Sequence, residues 1–122
     1  MVAFFNTMAF ADDEARCVQD GKQMQMNFCA RDDFDASEKE MNDLYDKKMD
    51  YLQTQKNKDR LSNSQEAWIT YRDKACFYEA GPSEESGSIW PMEQFSCLAQ
   101  LNNQRIQTLK KYAKCTDNGC PL

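Results

Sequence analysis

The chain has 122 residues, with 15 Lys and Arg against 20 Asp and Glu, a formal charge of −5 and no histidine. A chain of this length buries roughly two-thirds of its unfolded surface, which supports one modest core and excludes a large multidomain enzyme. The acidic balance argues against a duplex nucleic-acid partner and favours a cationic partner or plain solubility. No run approaches the roughly 20 apolar residues that an integral membrane segment needs.

The first residues have the character of an export signal. Residues 1–11 are uncharged and mostly apolar, and they end in Ala9-Phe10-Ala11 directly before Asp12-Asp13-Glu14. Small residues at the −3 and −1 positions before a polar start are typical of a signal peptidase site, although a basic n-region is missing. We expect 1–11 to be the remnant of an export signal and 12–122 to be a single domain. The alternative is an apolar arm packed on that domain.

Six cysteines form an even set in a short chain: Cys17, Cys29, Cys76, Cys97, Cys115 and Cys120. The absence of histidine and of any CxxC pair argues against a zinc site, so no metal ligand is expected. A disulfide framework, typical of a secreted or periplasmic protein, is the simpler interpretation. Sequence does not determine the pairing, but loop lengths favour the local bridges Cys17–Cys29, Cys76–Cys97 and Cys115–Cys120.

The first helix is predicted between Ser37 and Gln55. Apolar side chains recur there at intervals of three and four, namely at Met41, Leu44, Tyr45, Met49 and Leu52. This spacing indicates one face of an α-helix. Ser37-x-x-Glu40 could be a capping box that begins it. Because no breaker separates Lys22 from Ser37, the same helix could also begin earlier.

A second helix is predicted from about Asp59 or Ser62 to Ala80, where Gly81-Pro82 ends it. Its apolar stripe is predicted to contain Leu61, Trp68, Tyr71, Ala75 and Tyr78. Residues 83–90 are a loop by composition. A third helix begins near Pro91 and carries an apolar face as far as Tyr112. We therefore predict an all-α fold, a small disulfide-stapled bundle of about three to four helices, two of them long.

The residue types argue against an enzyme. Without histidine there is no Ser-His or Cys-His arrangement, and adjacent acids such as Glu84-Glu85 lack the contrasting environments of an acid/base pair. The acidic clusters do not match a calcium-binding loop. We expect no catalytic residue, no metal and no cofactor.

Charge is unevenly distributed along the chain. Residues 12–50 carry 12 acids and 6 bases, whereas 91–122 carry 2 acids and 4 bases. The first half could capture a basic protein electrostatically, or it could be an ordinary solvated helix surface. Trp90, beside Gly87-Ser88, is either an exposed interface anchor or a staple into the core. Trp68 is predicted to be core, and Arg72-Asp73 is predicted to be a structural ion pair or capping network rather than a site.

The block Leu61-x-x-x-Gln65-x-x-Trp68-Ile69-x-Tyr71-Arg72-Asp73-x-x-Cys76, followed by Gly87-Ser88, Cys97, Arg105 and Leu109, resembles the LprI-like lysozyme-inhibitor family. The resemblance covers roughly residues 17–110. It implies a small secreted or periplasmic helical domain of bacteria, whose founding member is a lipoprotein that inhibits lysozyme. No lipobox cysteine follows the apparent cleavage site, so we expect a soluble rather than a lipid-anchored protein. Cys115 and Cys120 are additional to the family pattern.

That resemblance makes a basic lysozyme the expected partner. An acidic domain would be steered toward a basic enzyme, while a neutral loop would have to enter its active-site cleft. We expect the steering charges to be Asp32, Asp33, Asp35, Asp43 and Asp46. The inserting segment is expected to be 81–90, with Ser88 and Trp90. The alternative is an envelope interaction module with another target and no effect on lysozyme.

Overall fold

The computed structural model describes residues 15–122 and contains three long helices. Helix α1 spans Gln23–Tyr51, α2 spans Gln55–Ala80 and α4 spans Trp90–Lys114, while α3 is a single turn at Ser83–Ser86. The predicted all-α, disulfide-stapled fold is confirmed, and the described part of the chain holds no strand. None of its helices is long and apolar enough to cross a membrane. The expected export-signal remnant at 1–11 lies outside the described residues.

Helix α1 is continuous through Ser37, so the possible capping box does not begin it. The Ser37 side chain is buried, and its hydroxyl donates to the carbonyl of Phe34 at 2.8 Å. A serine can sit inside a helix when its hydroxyl bonds to the preceding turn. The helix therefore takes the earlier of the two possible starts, and it ends at Tyr51, where Leu52 turns to extended backbone.

Helix α2 begins four residues before Asp59 because Thr54 caps it. The Thr54 hydroxyl accepts a hydrogen bond from the backbone N–H of Asn57 at 3.2 Å, which satisfies one of the free donors of the first turn. The end at Ala80 is as predicted. Gly81 has a φ of 71°, a conformation that glycine adopts without steric cost, and its N–H donates to the carbonyl of Phe77.

The prediction of a loop at 83–90 was wrong. The segment forms the short helix α3, then a 3-10 turn at Gly87–Ile89, and it leads directly into α4. The Ser86 hydroxyl lies 2.9 Å from the carbonyl of Ala80 and 3.0 Å from that of Pro82, which holds the turn against the end of α2. Polar composition did not distinguish this locally bonded turn from open loop.

Helix α4 is central to the bundle, because it packs along α1 and also against α2. One core cluster joins Met41 of α1 to Ile106 and Leu109 of α4. A second cluster contains Cys76, Cys97 and Leu98, with the half-buried rings of Phe34 and Phe95 packed beside it at 5.5 Å between centroids: the rings belong to α1 and α4 respectively. The two clusters lie one after the other along α4, so the core extends along the length of that helix.

Three disulfides connect the segments in the local pattern. Cys17–Cys29 joins the N-terminal segment to α1, Cys76–Cys97 joins α2 to α4, and Cys115–Cys120 closes the tail after α4. Each closes a loop of the unfolded chain and is worth roughly 2–4 kcal/mol in the chain-entropy account. Among residues 15–122, Cys76–Cys97 is the bridge that joins two long helices to each other.

Candidate functional surfaces

The family-like motif on α2 builds a buried polar network. Arg72 is 7% exposed, and its Nη1 lies 2.9 Å from a Glu38 carboxylate oxygen and 3.0 Å from the Asn102 side-chain oxygen. The fully buried Asn102 amide donates to Glu38 and to Ser37. One guanidinium therefore ties α2 to both α1 and α4, and its Nε and Nη2 also bond Asp73. The interpretation of Arg72-Asp73 as a structural ion pair is confirmed.

A second buried arginine, Arg105, also contacts Trp68 and bonds polar residues of α2. Arg105 Nε donates to Gln65 at 2.9 Å, and Nη2 donates to the Ser64 hydroxyl at 3.0 Å. The guanidinium carbons of Arg72 and Arg105 lie 5.5 and 5.9 Å from the Trp68 ring, within cation–π range. Gln65, Trp68, Arg72 and Cys76 of the motif thus serve the scaffold.

Tyr71 is the exception within the motif. It was predicted on the apolar stripe together with Tyr78, but the two side chains are 60% and 90% exposed. The prediction failed because α2 turns Gln65 and Arg72 inward, where Arg105 donates to the Gln65 side-chain oxygen and Arg72 bonds Glu38, and so rotates the tyrosines outward. Phe77 is also 60% exposed. We call Tyr71, Phe77 and Tyr78 the aromatic face of α2.

The aromatic face lies on a part of α2 that a disulfide anchors and that carries a net negative charge. Cys76, between Tyr71 and Phe77, is disulfide-bonded to α4. Residues 66–85 carry 5 acids and 2 bases, a net charge of −3. Large aromatic groups with few rotatable bonds give contact area at a low entropic cost, and they dominate many protein interfaces. The face has the composition of a protein-binding surface.

The five aspartates predicted to steer a partner are all exposed on α1. At 100° per residue, Asp32, Asp35, Asp43 and Asp46 fall within about 80° of one another around the helix and along about 21 Å of its axis. Asp33 lies further round, in a groove between α1 and α4 that Glu40 also lines. Four of the five therefore share an outward face, and the fifth flanks it.

Two of those carboxylates are already paired within the helix. Arg31 bonds Asp35 at 3.3 Å, and Lys39 bonds Asp43 at 2.6 Å, both four residues apart and well exposed. The hydrogen bond that Lys39 donates to Asp43, together with the negative charge of Asp43, raises the pKa of Lys39 above the ordinary value of 10.5. The other three, Asp32, Asp33 and Asp46, are not ion-paired within residues 15–122.

Trp90 was interpreted either as an exposed interface anchor or as a staple into the core, and its contacts favour the staple. Its indole N–H donates to the carbonyl of Gly81 at 2.7 Å, and the ring is half-buried, so the residue staples the 81–90 segment closed. The backbone carbonyl of Ser88 accepts from the Asn27 side chain at 2.9 Å, while the Ser88 residue is exposed. Ile89, beside it, is 39% exposed. The segment is a fixed projection beside the first turns of α1.

Among residues 15–122, one cluster has ligand types close enough for a metal, formed by Cys76, Glu79 and Cys97. Both sulfurs belong to one disulfide, so neither is available as a thiolate. The cluster is therefore a disulfide with a neighbouring carboxylate rather than a metal centre.

The sequence that builds this scaffold is similar to known proteins. The family model described as the lysozyme inhibitor LprI matches residues 14–109, which contain the buried network and the first two disulfides. The chain belongs to the LprI lysozyme inhibitor family. It is 31% identical over 117 residues to an uncharacterised protein of Rhizobium meliloti (strain 1021), across 86% of this chain and 84% of the relative. No solved structure matches the chain. The Cys115–Cys120 loop lies beyond the matched range.

Proposed function

We propose that the protein is a non-enzymatic inhibitor that binds a basic lysozyme outside the cytoplasm. The observation that carries this proposal is the family match over residues 14–109. Three disulfides among residues 15–122 support an oxidising compartment, either periplasmic or extracellular. The buried network belongs to the scaffold, so the contact with lysozyme is assigned to side chains that project from it.

Steering is assigned to the unpaired carboxylates of α1. Asp32, Asp33 and Asp46 attract a basic protein and raise the association rate, an effect that salt screens over about 8 Å at physiological ionic strength. Asp35 and Asp43 contribute less because each is neutralised by a basic side chain one turn away. Steering changes how often the partners meet rather than how long they stay together.

Anchoring is assigned to the aromatic face of α2 and to the projection that carries Ser88. Tyr71 and Tyr78 offer apolar rings with free hydroxyl groups, the chemistry that is enriched at the centres of interfaces. Ser88 lies on the segment that Trp90 closes, so its position is fixed before binding. A preorganised contact loses less conformational entropy on association.

The first experiment measures lysis of cell walls by a basic animal-type lysozyme, with and without a stoichiometric excess of the oxidised full-length protein. Inhibition is expected at low and at physiological salt. If lysis is unchanged at both, the proposal is wrong for that lysozyme, and the alternative of an envelope module with a different target takes its place.

Matched variants separate anchoring from steering. Tyr71→Ser combined with Tyr78→Ser should raise the inhibition constant at least about 30-fold, since a single hot-spot aromatic is worth about 2 kcal/mol or more. Met24→Ser is the control, because Met24 is 58% exposed but lies on α1. Asp32→Asn with Asp46→Asn should slow association at low salt and leave dissociation unchanged, whereas the ion-paired Asp43→Asn should have a smaller effect. Equal effects of target and control variants would contradict these assignments.

A further inference from the structure

A cavity of about 360 Å³ opens at the end of the bundle where α1 ends and α2 begins. Leu52, Leu61, Tyr112, Cys115 and Pro121 supply its apolar lining, so α4 and the disulfide-closed tail form the remaining walls. The volume lies within the range of about 300–1,000 Å³ that is typical of small-molecule sites. None of the three residues of the aromatic face and none of the five exposed aspartates of α1 lines this cavity.

The charges that line the cavity all have one sign. Lys48, Arg60 and Lys111 contribute to the lining, and no Asp or Glu does. Lys48 is only 6% exposed, and its Nζ lies 3.2 Å from the carbonyl oxygen of Cys115 and 4.3 Å from the Tyr51 ring. Arg60 and Lys111 form no ion pair within residues 15–122. A buried cation without a carboxylate partner is costly, and a bound anion would offset that cost.

We propose that this cavity binds a free, single-chain amphiphile with a carboxylate head. The acyl chain would lie against Leu52, Leu61 and Tyr112, and the carboxylate would meet the ammonium and guanidinium groups of the rim. A purely inorganic anion would leave the apolar walls in contact with water, and a neutral lipid would leave the buried ammonium group of Lys48 without a counter-charge. The cavity volume suits one chain rather than the two chains of a bilayer lipid.

The test titrates the oxidised full-length protein with decanoate by calorimetry, below the concentration at which decanoate forms micelles. Saturable binding of one molecule is expected, with the affinity falling about fourfold for each methylene removed from the chain. Decan-1-ol should bind about tenfold more weakly because it lacks the charge. Inorganic phosphate binding as tightly as decanoate would overturn the amphiphile assignment. Binding to phosphatidylglycerol vesicles without binding of decanoate would overturn the single-chain assignment.

Two variants locate the ligand. Lys111→Gln should weaken decanoate binding about tenfold. Lys110→Gln is the matched control, because Lys110 is the neighbouring residue, bonds Glu40 at 3.4 Å and does not line the cavity. Leu61→Phe should fill the cavity and abolish binding, with circular dichroism used to verify folding. Equal affinity in both lysine variants would overturn the proposal even if the Leu61 variant failed to fold. Lysozyme is absent from these titrations, so their outcome is independent of the proposed inhibition.

Discussion

Replacement of Arg72 by methionine tests whether the buried network holds the bundle together. The substitution keeps most of the side-chain volume but removes a guanidinium that contacts Glu38, Asn102 and Asp73. Loss of one partner of a fully buried pair costs about 3–5 kcal/mol. Because the Glu38 side chain is 31% exposed and water can reach it, we expect a smaller loss of about 2–3 kcal/mol in the free energy of unfolding.

The measurement is urea unfolding followed by circular dichroism, with the slope of the transition unchanged and its midpoint lowered. In thermal unfolding the same loss corresponds to a fall in Tm of about 10 °C for a domain of this size. Lys39→Met, at an exposed ion pair, should leave both midpoints unchanged. Removing Glu38 together with Arg72 should recover part of the loss, because no unpaired carboxylate remains. A loss below about 1 kcal/mol for Arg72→Met would refute the reasoning.

Further predictions concern two of the disulfides and the hydrogen bond of Trp90. Replacing both Cys76 and Cys97 by alanine should cost about 3 kcal/mol for a sequence separation of 21, against about 2 kcal/mol for Cys115 and Cys120 at a separation of 5. Urea unfolding of the two variants gives this order directly, and the reverse order would contradict the loop-closure argument. Trp90→Phe should cost about 1 kcal/mol through loss of the 2.7 Å hydrogen bond to Gly81, with unchanged helix content by circular dichroism.

Periodicity predicted the existence of the long helices and failed on the orientation of one of them. On α1 and α4 the buried positions are mostly apolar, so Met41, Ile106 and Leu109 could be placed in the core from spacing alone. On α2 the buried face includes Gln65 and Arg72, whose partners on α1 and α4 lie 30 to 40 residues away in the chain. A hydrophobicity pattern contains no information about such pairing, and it therefore placed Tyr71 and Tyr78 inside.

The candidate surfaces likewise include some features that the sequence predicts and others that it does not. The exposed aspartates of α1 could be predicted because charge on a long helix faces water. The aromatic face could not, since it depends on the rotation of α2 that the arginine network sets. The cavity depends on three helix ends and the tail meeting in space, and a buried lysine such as Lys48 gave no local signal of its position.

The central position of α4 has a consequence for the order of folding. Met41 contacts partners about 65 residues further along the chain, so the larger part of the core is formed by non-local contacts. Helical proteins usually fold fast because their contacts are local, and this topology gives up part of that advantage. During synthesis, α1 and α2 remain without their main packing partner until residues 90–114 have been added. The core shared by α1 and α4 can therefore form only after the last helix has been made.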